Sequence, residues 1–373
     1  MKILTAKLHI VSFEVPFPAN YGGVIDVFYK IKALHALDVE IYLHCFYTTR
    51  AESKILESYC KKVYYYKRNS LFISLFSKLP VLVKSRANKL LIRRLIELNA
   101  PVLFEGLHTT YPLVQNHFLQ NTFVRAHNIE HNYYEGLANS ENSFWKKLFY
   151  KSEAKKLALF ENVYKKTTGI LSISPYEQGY FHKKYGEKTQ YLPVFHEATK
   201  SQIGSTKKHK IAYHGDLRIS DNIKAANFIM DIYANGPYEL LIGGNEIPHK
   251  MKDRIKNTNN VRFIDISDPE NLKMLFEETQ IHILVTFQKT GIKLKLLNSL
   301  YKGRHIIANS AMIEDTGLEN LCTLANSKEE FLAATKKLIY QEFSEENKKL
   351  RMDALTPFDP QTNAVKLKKI LFK

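Results

Sequence analysis

Short apolar runs alternate along this chain with longer stretches in which apolar residues recur every three or four positions. Lys2 to Val11 reads as a strand, Val24 to Leu37 repeats its apolar residues at helical spacing, and Val39 to Tyr47 reads as a strand again. Further strands are expected at Val63 to Lys67, Pro101 to Gly106, Thr122 to His127, Gly169 to Ser174 and Gln190 to Val194, with helices between them. The stretch from His196 to Lys210 is polar and aperiodic, which marks a linker. A second series follows at Ile211 to His214, Glu239 to Gly243, Val261 to Ile266, Ile281 to Phe287 and His305 to Asn309. Strands that are apolar nearly throughout suit parallel sheets covered on both faces, and their alternation with helices is the grammar of an α/β fold. The expectation is therefore two Rossmann-like, doubly wound domains, residues 1–195 and 211–355, joined by a linker at 196–210. A basic helix within 356–373 is expected to return to the first domain.

Composition narrows the functional classes. The 54 Lys+Arg against 37 Asp+Glu give +17, a surplus that favours phosphate-bearing partners: nucleic acid, nucleotide substrates or an anionic membrane surface. No RNP, KH or zinc signature supports nucleic acid. Cys45, Cys60 and Cys322 stand in no CxxC or CxH spacing, which argues against disulfides and structural zinc. No small-residue cleavage site follows the amino terminus, and no apolar run reaches the roughly 18 residues of a spanning helix. A cytoplasmic protein is expected. Lys61 to Arg94 mixes basic residues with Tyr64, Tyr65, Tyr66, Leu71, Phe72, Leu75 and Phe76, a composition that fits peripheral docking on the inner face of an anionic membrane.

Four segments carry candidate chemistry. Gly22 and Gly23 precede the first helix, where backbone N–H groups can converge on an anion, although a plain turn explains such a pair as well. Neither GxGxxG nor GxxxxGK[ST] is present, which lowers the case for an NAD enzyme or a P-loop NTPase. The segment Arg125-Ala126-His127-Asn128-Ile129-Glu130-His131 closes a strand with more polar groups than a core strand end needs. It reads as a substrate-facing loop or a surface turn; His127 and His131 lack a third ligand at metal spacing. Tyr213-His214-Gly215-Asp216-Leu217-Arg218 is a strand end with a glycine turn, where Gly215 permits close approach of a diphosphate and Arg218 offers it charge. Thr290 to Ser310 reads as a polar loop, a basic helix start with Leu294, Leu297, Leu300 and Tyr301 on one face, a cap at Gly303 and a buried strand.

With these segments in this order, from PxPxxYGG through RAHNIEHNYYEGLA and YHGDLRISDN to TGIKLKLLNSLYKG, nearly the whole chain resembles the GT-B glycosyltransferases, specifically the retaining bacterial family that builds surface polysaccharides. The resemblance implies a nucleotide-sugar donor, a glycan or lipid-linked glycan acceptor, and no metal or other cofactor. It implies that Gly22 and Gly23 shape the cleft and that His127 sits near the transferred sugar. Gly215, Arg218, Thr290, Gly291, Lys293 and Lys295 are implied around the diphosphate, where cations must meet the charge of a departing leaving group. Two departures stand out. Retaining members commonly carry two glutamates eight positions apart, here Thr290 and Asn298; Asn298 keeps hydrogen-bonding capacity for a ribose but loses the charge. The usual Arg after the glycine of the second domain is Asp216, and the usual Lys beyond it is Asp221 or Asn222. A sugar-nucleotide 2-epimerase on the same fold and a degenerate, non-catalytic binding protein are the rival expectations.

Overall fold

The computed structural model describes residues 6–75, 77–115, 119–141, 143–197, 203, 209–289, 291 and 294–373. Two parallel sheets organise them. The first contains β1 (Lys7–Ser12), β2 (Glu40–Tyr47), β3 (Lys62–Lys67), β4 (Val102–Glu105), β5 (Thr122–Ala126), β6 (Gly169–Ser172) and β7 (Thr189–Tyr191), in the spatial order β3-β2-β1-β4-β5-β6-β7. The second contains β8 (Lys210–His214), β9 (Glu239–Gly244), β10 (Val261–Asp265), β11 (Ile281–Leu284), β12 (His305–Ala308) and β13 (Thr323–Leu324), in the order β10-β9-β8-β11-β12-β13. Each sheet thus winds outward from its first strand and then reverses, which puts topological switch points between β1 and β4 and between β8 and β11. Open α/β sheets bind ligands beyond the carboxyl ends of the strands at such points.

The sheets form where the apolar pattern puts them. All four residues of β4 and of β12 are buried, and so is every residue of β1 after Lys7. Helix 22–35 lays Val27, Ile31 and Leu34 on the first sheet, where they join Leu8, Ile10 and Leu43 in one core. A fully buried aliphatic side chain of this kind contributes about 1.5–3 kcal/mol. The last helix, Pro360–Leu371, starts with Pro360 behind the Asp359 cap, which accepts from Thr362 N at 2.7 Å. Its Ala364, Leu367, Ile370 and Leu371 enter the core of the first domain, and Lys368 Nζ donates to Leu37 O at 2.7 Å.

Three details differ from the sequence pattern. β11 stops at Leu284 although the apolar run continues, because Thr286 leaves the sheet to donate to Asp221 Oδ2 at 2.8 Å while its carbonyl accepts from Asn309 Nδ2 at 2.8 Å. β13 has two residues, too few to leave a periodic signal. Gly303 follows the helix Leu294–Lys302, but not as a left-handed cap: a Cβ there would lie 2.5 Å from His282 Cδ2 and 2.8 Å from Ser299 O, so close packing is what demands glycine. Among the described residues no helix is long and apolar enough to cross a membrane.

Candidate functional site

At the first switch point the strand ends carry charge. Glu105 terminates the otherwise apolar β4, His127 follows β5 directly, and Asp26 and Lys30 lie one turn apart on the sheet-facing side of helix 22–35. Lys30 Nζ donates to Asp26 Oδ2 at 2.8 Å and to both Glu105 oxygens at 2.7 and 2.9 Å. Arg125 grips Asp26 with two bonds of 3.0 and 2.9 Å and reaches the carbonyls of Leu192 and Pro193. All four side chains are fully buried. Burial alone would raise both carboxyls, but Arg125 and Lys30 hold Asp26 well below the ordinary range, and Lys30 with His127 holds Glu105 below it. An ionised Glu105 is an acceptor only, so its 2.9 Å contact with His127 Nε2 requires the proton on Nε2. With the proton on Nε2, the neutral tautomer carries its acceptor lone pair on Nδ1, an atom that is buried and has no hydrogen-bond partner among the described residues.

The glycine loop shapes this wall. A Cβ on Gly23 would come within 2.6 Å of Phe13 Cζ, so glycine lets the Phe13 ring lie across the helix start, edge-on to His127 with centroids 5.7 Å apart. Tyr21 gives the first turn no side-chain cap and no acidic residue stands in it, so the positive helix end is available to a ligand. A Cβ on Gly22 would meet Leu294 Cδ1 at 3.7 Å, which brings the loop of the first domain against the helix 294–302 of the second.

At the second switch point Lys295 Nζ donates to Asn222 Oδ1 at 3.0 Å and Tyr213 OH at 3.2 Å, and lies 4.6 Å from the Tyr213 ring centroid. A Cβ on Gly215 would fall 3.0 Å from that ammonium, so Gly215 and Lys295 form one locus. Burial, reinforced by Lys295 and Lys302, lowers the neighbouring His214 to about 3. Arg218, expected at the diphosphate, is paired with an acidic neighbour. It is bidentate to Asp216, at 2.9 and 2.7 Å, half-exposed, and lines a cavity of about 780 Å³ with Lys146, Ser220 and Lys224. Asn298 lines another cavity, of about 840 Å³, between Asn20 and Tyr29 of the first domain and Ser267 and Lys302 of the second. Thr290 and Lys293 lie outside the described residues.

The two loci meet through Gly291. Its φ is +93°, where side chains other than glycine are strained, and a Cβ would collide with Asn128 Oδ1. Its N–H donates to Glu177 Oε1 at 2.8 Å. Asn128 is the neighbour of His127, and Gly291 lies four residues before Lys295, so this contact closes the second domain against the His127 wall.

Asp26, Glu105 and His127 each present a ligand atom within 4.8 Å of the others, spacing that suits a metal. Lys30 already bonds both carboxylates there, and Arg125 bonds Asp26, so the two negative charges are met by two internal cations. His127 and His131 do not act as a pair, since His131 turns to Glu161 at 3.5 Å. Within 125–131, Arg125 is sealed in the network and buried Glu130 is 3.3 Å from His108. The sequence pattern did not single out Asp26, Lys30, Glu105 or Glu177. The usable signals were charges on the apolar face of a helix and at the end of the buried strand VLFE. Glu177 offered none, because Ser174-Pro175-Tyr176-Glu177 already reads as a helix start.

No family model matches the chain. A Klebsiella pneumoniae protein described as an uncharacterised 44.6 kDa protein in the cps region is 25% identical over 391 residues, covering 99% of both chains. Sucrose-phosphate synthase from Thermosynechococcus elongatus superposes with a TM-score of 0.70 at 14% identity, over 98% of each chain. TarM superposes at 0.68 with 13% identity over 100% of this chain and 99% of its own, and a complex of S. aureus TarM with UDP and α-GlcNAc-glycerol at 0.67 with 10% identity over 99% and 100%. The fold is GT-B: two Rossmann-like domains facing across a cleft.

Proposed function

We propose that the chain is a glycosyltransferase that moves a sugar from a UDP- or GDP-sugar to a growing, lipid-linked glycan in cell-surface polysaccharide synthesis, at the cytoplasmic face of the membrane. The observation that carries it is the Gly291 contact, which joins a helix bearing a cation at Gly215 to a wall bearing the unpartnered Nδ1 of His127. The cps-region relative and the UDP-bound TarM complex support the substrate class.

In this reading the bond between the anomeric carbon and the diphosphate breaks, a new bond forms to the oxygen of an acceptor hydroxyl whose proton passes to the departing diphosphate, and the configuration is retained. Lys295, with the helix start at Gly22 and Gly23, meets the charge building on the leaving diphosphate without a metal. Thr290, Gly291 and Lys293 are assigned to the same diphosphate by the sequence resemblance, and Arg218 joins them only by exchanging its Asp216 partner. His127 Nδ1 accepts a hydrogen bond from a hydroxyl of the sugar or the acceptor. Asn298 takes the ribose in the larger cavity.

A panel of UDP, GDP, ADP and dTDP sugars tests this, read by melting temperature and by sugar release. A donor at 100 times its Kd adds about 2.7 kcal/mol to the folded state. A UDP- or GDP-sugar is expected to raise the melting temperature and to be turned over with a glycan acceptor. No shift with any member of the panel would overturn the assignment.

A further inference from the structure

Helix 144–160, FWKKLFYKSEAKKLALF, turns the wrong residues outward for a solvated helix. Trp145 and Leu159 are each 76% exposed, Phe144 70% and Leu148 53%, and the exposed side recurs at helical spacing opposite buried Glu153, Ala154 and Leu157. The neighbouring segment extends this face. Val81 N donates to Glu153 Oε2 at 2.7 Å and Lys156 Nζ to Leu75 O at 3.5 Å, which sets exposed Phe72 and Leu75 alongside. Contiguous apolar surface of this kind marks an interaction site. The helix itself is basic: it carries Lys146, Lys147, Lys151, Lys155 and Lys156, its only carboxylate, Glu153, is turned inward, and Glu135 of the neighbouring helix is the acidic group beside Leu148, Lys151 and Lys155.

We propose that this face docks the protein on an anionic lipid bilayer. Large apolar side chains rimmed by lysines match an interfacial helix, whose aliphatic and aromatic groups enter the acyl boundary while the ammonium groups stay with the phosphates. A protein partner fits less well, because lysine is depleted from protein interfaces. The helix 130–140 starts just beyond His127 and Asn128 and packs against helix 144–160, so docking holds the cleft at the bilayer. The surface overlaps the one that sequence composition suggested only at Phe72 and Leu75. In the stretch 61–94, Tyr66 is buried against His44, and Tyr64 is sandwiched between His44 and Arg94. The inference rests on the transferase reading only for what is met at the membrane, a lipid-linked acceptor.

Trp145 is the chain's one tryptophan, so its fluorescence reports this face alone. Vesicles of phosphatidylglycerol with phosphatidylcholine are expected to shift its emission to the blue and to allow quenching by bromolipids, whereas phosphatidylcholine alone leaves it unchanged. Lys151→Gln with Lys155→Gln should weaken vesicle affinity roughly 30-fold. Leu148→Gln with Leu159→Gln, both at exposed positions, should abolish the shift with the fold intact. No shift with anionic vesicles, an equal shift with neutral ones, or unimpaired binding by the leucine variant would overturn the proposal. No sugar nucleotide enters the assay, so a chain that docks but turns over no donor retains this inference and loses the transferase reading.

Discussion

The two domains repeat one topology and solve the electrostatics of their switch points in opposite ways. In the first, Asp26 and Glu105 are ionised in the interior and matched by Lys30 and Arg125, a balanced set that fixes His127 through Nε2. In the second, His214 and His282 lie buried beneath the site, kept neutral by burial and by the cations around them, including Lys295 for His214, and one buried carboxylate, Asp221, holds Thr286. Burial is the main cause for His214, and the smaller contribution of Lys295 comes from the ammonium that a diphosphate would meet at Gly215. One strand-end cluster is thus built to hold a reacting group still, and the other to present positive charge.

The largest expected effect comes from breaking the first cluster. Lys30→Met leaves two buried carboxylates facing each other and should cost about 3–5 kcal/mol of stability in urea unfolding. A cost below about 1 kcal/mol would mean that the network does not hold the first domain together. Lys295→Ala should do the reverse, leaving stability nearly unchanged while transition-state stabilisation falls by about 2–4 kcal/mol, or roughly 30- to 1000-fold in turnover. Near-normal turnover would remove Lys295 from the site.

Acid sharpens the contrast. His214 has a folded value of about 3, below the unfolded 6.5, so the unfolded chain takes the proton first. Its contribution is full above pH 6.5 and drains as pH falls toward 3, by up to about 1.4 kcal/mol per unit. His282 is shifted the same way, as are His9, His44, His196 and His305. Asp26 and Glu105 are depressed in the folded state, so their contribution stays whole down to about pH 4 and is lost only below it. Stability should therefore already fall between pH 6.5 and 4.5. His282 has no hydrogen-bond partner for either ring nitrogen among the described residues, so His282→Leu should flatten that slope by about 1.4 kcal/mol per unit. An unchanged slope in the variant would place the acid sensitivity elsewhere.

The smallest expected effect is at the ribose. Asn298→Glu, in the larger cavity, should tighten donor binding by about tenfold, the difference between a charged and a neutral hydrogen bond. Unchanged or weaker binding in a normally folded variant would mean that Asn298 does not hold the ribose.

Most of the fold was legible in the chain because parallel strands buried on both faces leave apolar runs that need no partner to be recognised; β4 and β12 are examples. The end of β11 was not, because it is set by Asp221 and Asn309, which are distant in sequence from Thr286. The site divides similarly. Gly291 and the polar strand ends announced themselves, whereas Asp26 and Arg125 are 99 positions apart and only the folded sheet shows them to be one ion pair. Charge and position suggest Arg218 for the diphosphate, and only the fold shows that it pairs with Asp216, two residues away.

The central claim is a division of labour across the Gly291 contact, the second domain holding the donor and His127 acting on a hydroxyl. Calorimetric titration of the nucleotide sugar selected by the panel into His127→Asn and Lys295→Ala tests it most directly. The account predicts donor affinity unchanged in His127→Asn, even as turnover drops about 100-fold or more, and weakened in Lys295→Ala. Equal loss of donor affinity in both variants, or loss in His127→Asn alone, would contradict it.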